Sequence, residues 1–165
     1  RYNFMRGCIW DDEKSIIQTN KLCLDLTQSN KQIMVQPLYV CAPLPKTKYL
    51  IDCIQAGMKE PQTLAEWSLW DPFSIYQKLP WIQGKLKKLV ELTMYTSFFI
   101  DYKPVFHSNS TLYGKLIATL GTIYKPIARF RFRYLVTFCF IEKYYFYWME
   151  RMYKRRIEKM FQSTE

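Results

Sequence analysis

At 165 residues the chain is long enough for one domain with its own core, and its 49% apolar and 18% aromatic content excludes disorder as the default. A formal net charge of +10 directs it toward anionic surroundings, whether nucleic acid, an acidic lipid surface or an acidic partner subunit. The five glycines are too scattered to form a phosphate-cradling loop or a dinucleotide fingerprint, and no short cysteine spacing marks a metal site.

Two readings compete over the first 40 residues. Leu22, Leu24 and Leu26 alternate with Cys23, Asp25 and Thr27, and a second apolar run from Ile33 to Val40 is interrupted by Pro37. That pattern suits a small β-hairpin near the N-terminus, with proline on an edge strand. A helix over residues 12–26 fits nearly as well, capped by Asp11 or Asp12 and acidic in its first turn. The run Asp11, Asp12, Glu13 is read as that helix start in preference to a divalent-ion site.

From Cys41 to Pro45 the prolines impose an extended connector. Residues 47–56 then read as a short helix closed by Gly57. Pro61 opens another, carrying Leu64, Trp67 and Trp70, and Asp71-Pro72 and Pro80 restart the chain twice more. Residues 1–79 are therefore expected to follow an irregular path that wraps onto larger neighbours. Together with a helical segment over 80–165 they form a single, mainly α domain.

A substantial helix is predicted over residues 81–100, with Ile82, Leu86, Leu89, Val90 and Thr93 on its apolar face. His107 falls in a polar surface loop, where its neighbour Ser108 gives no triad geometry. A third helix follows over residues 111–124. Ser110, Gly114 and Ala118 recur along it at four-residue spacing, followed by Gly121, which would let another helix approach closely.

The last third sets the character of the chain. Residues 112–161 hold 11 Lys or Arg against three Glu, and 14 of the 29 aromatic residues. With Pro126 near its first turn, one long amphipathic helix is predicted over residues 127–160. Phe130, Tyr134, Phe138, Ile141, Tyr145, Trp148 and Met152 follow one another at intervals of three or four, as one helical stripe does. Its longest uncharged stretch, Tyr134 to Ile141, is far short of the roughly 20 apolar residues of a membrane span. The candidate contact residues for a partner or lipid are Arg129, Arg131, Arg133, Phe130, Tyr134, Phe138, Tyr145, Trp148, Arg151, Arg155 and Arg156. Basic and aromatic side chains in that mixture suit phosphates, lipid headgroups or carboxylates, with the aromatics as packing or stacking surfaces.

The five cysteines, Cys8, Cys23, Cys41, Cys53 and Cys139, cannot all pair within the chain. Most read as buried thiols of a reducing compartment, while Cys41 and Cys53 flank one turn-helix unit that a disulfide would bridge.

Tyr144 to Arg156 read YYFYWMERMYKRR, 18 positions after Pro126. This pattern resembles the PDSW-type accessory subunit of mitochondrial respiratory complex I, in which a proline starts an amphipathic helix that reaches a run of tyrosines and then a basic stretch. The likeness covers roughly the last third of the chain and implies a place in the respiratory chain, peripheral to the mitochondrial inner membrane. The expected function is that of a non-catalytic accessory subunit with no cofactor or metal of its own and no transmembrane span. Its expected partners are other subunits and anionic lipid. The alternative is an RNA-contacting structural protein of an organellar ribosome.

Overall fold

The computed structural model describes the chain except residues 31, 36, 69, 71–74, 102–111, 139–140, 146, 148–150 and 152–165, and the side chains of residues 68 and 112–118. Helix dominates. The elements in order are β1 (Met5–Arg6), α1 (Glu13–Ser29), β2 (Tyr39–Val40), α2 (Lys48–Gln55), α3 (Leu64–Ser68), a single 3-10 turn (Ile75–Gln77), α4 (Gly84–Ile100) and α5 (Leu112–Tyr134). Residues 141–145 form a further short helical turn.

The helix wins the first ambiguity. Asp12 accepts from the Ser15 amide at 2.7 Å while the Ser15 hydroxyl accepts from the Asp12 amide at 3.1 Å, a reciprocal cap that starts α1. All three acids are thereby used: Asp11 accepts from the Cys8 amide at 3.1 Å, and Glu13 pairs with Lys85. The expected hairpin is replaced by two two-residue strands that run parallel, with Met5 opposite Tyr39 and Arg6 opposite Val40. Parallel neighbours need a crossover between them, and α1 is that crossover. The leucines at 22, 24 and 26 are thus helical, with Leu24 buried and Leu22 exposed.

The Gly57 stop and the helix after Pro61 form as expected, while the restart predicted at Asp71-Pro72 lies outside the described residues. Thr47 caps α2 by accepting from the Leu50 amide, and Gly57 at φ 92 closes it, with the Met58 amide donating to the Cys53 carbonyl at 3.0 Å and the Gly57 amide to Ile54 at 2.9 Å. In α3 the Thr63 hydroxyl accepts from the Glu66 amide, and the Trp67 and Trp70 rings lie 4.9 Å apart.

Everything packs on α4. Leu89, Val90, Leu92, Met94, Tyr95, Phe99 and Ile100 are buried around its whole circumference, which makes it a central helix and not a surface one. Its first half meets Ile16 of α1, Leu50 and Cys53 of α2, and the Ile75–Leu79 turn; its last residue meets Leu24, Val35, Leu38 and Phe132; Phe99 meets Ala128. The hydroxyls on α4 stay satisfied locally, Thr93 and Thr96 donating back to the carbonyls of Leu89 and Leu92. Ser97 and Asp101 accept from the amides of Leu38 and Val35 at 2.8 and 3.2 Å and pin the connector leading into β2. The irregular path of the first 79 residues therefore wraps α4, a partner within the chain, because α4 offers apolar surface on every side.

The largest departure from the sequence reading is at the C-terminal end. The break predicted between helices at 111–124 and 127–160 is absent, since α5 runs unbroken through Pro126, and the second helix is interrupted after Tyr134, with residues 141–145 helical again and 152–160 outside the described residues. Proline at that position removes the amide that would bond to the carbonyl of residue 122, at about 3 kcal/mol in a helix interior. The helix continues because Ala128 and Phe132, both fully buried, fix the turns beyond it against α4, while Pro126 itself faces solvent. The stop has no glycine. Leu135 takes the left-handed conformation at φ 52, and the Val136 amide donates back to the Arg131 carbonyl at 3.1 Å, a Schellman-type closure.

Candidate surface on the fifth helix

Two faces of α5 are apolar. The inner face carries Gly121, Tyr124, Ala128, Arg131 and Phe132 against the body of the protein. The outer face carries Leu120, Ile123, Ile127, Phe130 and Tyr134, spaced 3, 4, 3 and 4, and every one of them is exposed; Ile123 is 64% and Phe130 57% accessible. This is the spacing of a helix-pairing seam. Beyond the helix the apolar surface resumes with Phe138, which is 85% accessible, Ile141 and Tyr144.

The three arginines that the sequence singles out separate completely. Arg129 donates to the Ile100 carbonyl at 3.4 Å and the Thr27 hydroxyl at 3.0 Å, so it ties α5 to α4 and α1. Arg131 is only 7% accessible. It forms a buried ion pair with Glu142, donates to the Phe138 carbonyl at 2.9 Å and the Val136 carbonyl at 3.3 Å, and shares the carboxylate with the Tyr124 hydroxyl, which lies 2.6 Å from Glu142. Burial alone would lower the Arg131 guanidinium, but its bond with Tyr124 and the charge of Glu142 outweigh that and hold it above its ordinary value. The Tyr124 hydroxyl is pushed up to about 12 by burial and by the Glu142 carboxylate. Arg133 is exposed.

Two of the expected contact residues are therefore internal, a correction with a simple cause: the turn after α5 leaves carbonyls at Val136 and Phe138 that Arg131 satisfies, and the end of α4 leaves the Ile100 carbonyl to Arg129. Tyr145 is half-buried, its ring 5.3 Å from Phe99, so it belongs to the core around Phe99. Phe130, Tyr134, Phe138 and Arg151 are exposed as expected. Trp148, Met152, Arg155, Arg156, His107 and Cys139 lie outside the described residues. The sequence reading missed Leu120, Ile123 and Ile127. Their 3-4 spacing was legible, but dividing the helix at Pro126 split the stripe into two fragments.

A groove of about 370 Å³ opens between α1, α4 and the end of α5, lined in part by Glu13, Lys85, Lys88, Arg133 and Tyr134. Three cations against one carboxylate leave it net positive at the point where the apolar stripe ends. Among the described residues no helix is long and apolar enough to cross a membrane, and no three His, Cys, Asp or Glu side chains come together as metal ligands. No protein-family model, no curated protein and no solved structure matches the chain.

Proposed function

We propose that this protein is a non-catalytic accessory subunit that docks the outer face of α5 onto a helix of a neighbouring subunit in a membrane-associated assembly. The resemblance at residues 144–156 places that assembly, in this proposal, in the respiratory chain of the mitochondrial inner membrane. The observation that carries the docking is the exposed stripe from Leu120 to Tyr134, on a helix whose adjoining inner face already fills the protein's own core. A helix that completes a core needs one apolar face; a second, continuous one is a surface held for a partner. The cationic groove at the end of the stripe, with exposed Arg133, suits the anionic headgroups of a lipid surface beside that partner.

An RNA-contacting role draws on the net charge and on exposed aromatic rings such as Phe130, Tyr134 and Phe138. It asks for arginines presented to phosphates, and Arg129 and Arg131 are engaged inside the molecule.

The test compares the full-length wild type with an Ile127→Asp/Phe130→Asp variant in native sedimentation. Both side chains are exposed, so the variant should keep the wild-type circular dichroism and melting behaviour while falling out of the assembly. Nuclease treatment should leave the wild type in place, and detergent that strips membrane subunits and lipid should release it. Full co-sedimentation of the variant would refute the docking face, and release by nuclease with retention in detergent would promote the RNA reading.

A further inference from the structure

The chain brings two thiols together just beyond the ends of its paired strands. With Arg6 opposite Val40 in the parallel pair, the Cys41 amide donates to the Arg6 carbonyl at 2.6 Å, so Cys41 is held beside the exit of β1. Gly7 follows at φ 72, a left-handed bend that favours glycine, and a Cβ there would press on Cδ1 of Ile82 at 2.6 Å. The bend returns Cys8 toward the strand pair, where Asp11 accepts from its amide and its thiol comes beside that of Cys41. Continued by one residue, that register puts Cys41 level with Gly7, next to Cys8 in the chain, at a strand spacing of about 4.8 Å that lies within the Cα range a disulfide spans.

Tyr49, presented by α2 and stacked edge-on to Trp10 at 5.4 Å, points its hydroxyl at the same sulfurs. That hydroxyl is buried and makes no hydrogen bond among the described residues. Cys53 is fully buried, whereas Cys8 and Cys41 are both only half-buried.

We propose that Cys8 and Cys41 form a thiol–disulfide exchange site that is oxidised by a small disulfide of the glutathione class and closes to an intramolecular bond. The Cys41 thiolate attacks one sulfur of the oxidised glutathione, whose S–S bond breaks as one glutathione thiolate leaves and takes up a proton. Cys8 then loses its proton to solvent and attacks the Cys41 sulfur of the mixed disulfide, expelling the second glutathione. Two protein thiols and one glutathione disulfide become one protein disulfide and two glutathione thiols, the two electrons passing to glutathione.

The pair is asymmetric in the way this order needs. The hydrogen bond from Cys8 lowers the Cys41 thiol to about 7 against its burial, with Tyr49 assisting. The same hydrogen bond, with burial, pushes Cys8 up. Cys41 is thus the attacking group and Cys8 the resolving one. The expected pairing of Cys41 with Cys53 is displaced, because the thiol bonded to Cys41 comes from the N-terminal strand and not from α2.

The test uses the reduced full-length chain, incubated with oxidised glutathione, quenched by alkylation, digested and mapped by mass. The wild type should give a Cys8–Cys41 linked peptide, with Cys23 and Cys53 recovered as alkylated thiols. Its thermal midpoint should rise by roughly 5–10 °C on closure of the loop. Cys8→Ser should stop at a glutathione adduct on Cys41, and Cys41→Ser should take up glutathione at Cys8 at least about tenfold more slowly. Alkylation of Cys41 in Cys8→Ser loses the thiol that acidifies it, so its midpoint should move up from the wild-type value of about 7. A disulfide mapped to Cys41 and Cys53, no intramolecular disulfide at all, or equal glutathione uptake by the two serine variants would overturn the assignment.

Discussion

Arg131 and Glu142 are both buried, and neither is worth much as an isolated attraction. Taking two charges out of water costs several kcal/mol per ion, and the pair persists because Tyr124 and the carbonyls of Val136 and Phe138 occupy the remaining donors and acceptors. What the pair contributes is geometry, since it fixes the reversal that brings residues 141–145 back beside α5. Removing one partner leaves the other charged and unpaired, so Glu142→Gln should destabilise the protein by about 3–5 kcal/mol in urea denaturation. An Arg131→Met/Glu142→Met double variant should lose less than the sum of its two single variants, because neither charge then remains. Additive losses would mean that the two side chains act independently. Arg6, whose guanidinium lies over the Phe132 ring, poses a similar problem. Burial lowers it to about 10, against the opposing influence of Cys23 and Asp11, and it donates to the Ile16 carbonyl and to Asn20, whose amide in turn donates to the Phe132 carbonyl at 2.6 Å.

At the scale of elements, α5 is held in one piece by its neighbours and not by its own sequence. Pro126 opposes the helix, and no glycine ends it. Pro126→Ala should therefore restore a backbone hydrogen bond and stabilise the fold. Of the roughly 3 kcal/mol that an interior proline costs, up to about 1 kcal/mol is offset by the greater freedom of the unfolded chain, leaving a net gain near 2 kcal/mol. An unchanged denaturation midpoint would show that the helix already bends to accommodate the ring. The stop at Leu135 is maintained by tertiary contact: Leu135 packs against the cluster around Ile16 and Leu89, while the Arg131 side chain holds the following carbonyls. Left-handed backbone at a non-glycine residue persists only where the surroundings determine it.

For the whole molecule, three clusters of buried side chains share α4, so they should unfold together. Phe132, fully buried between α1, α4 and the Val35–Leu38 connector, is the test, and Phe132→Ala should cost about 3–5 kcal/mol. Hydrogen exchange should then accelerate in β1 and α1 as much as in α5, since one cooperative unit opens as a whole. Acceleration confined to α5 would instead mean that it is an appended element. Truncation after Lys125 would remove Ala128 and Phe132 along with the exposed stripe, so it would report on folding before docking. Point substitutions on the outer face are the cleaner probe.

Local chemistry settled what the sequence determined by itself. The Asp12–Ser15 cap, the Thr47 start and Gly57 stop of α2, and the predominance of helix each depend on residues within a turn or two of one another. Only the tertiary structure decided the rest, because those features are set by apolar surface and unpaired carbonyls from distant parts of the chain. A proline that locally ends a helix was overridden by Phe132 packing on α4, and a leucine that locally continues one was turned left-handed. Arg129 was drawn inward by the Ile100 carbonyl and the Thr27 hydroxyl, far away in the chain, and Arg131 by a turn after Tyr134 whose left-handed start at Leu135 is held by packing on the core. The parallel pairing of β1 with β2 likewise depends on α1 packing between them, and that pairing is what brings Cys8 to Cys41.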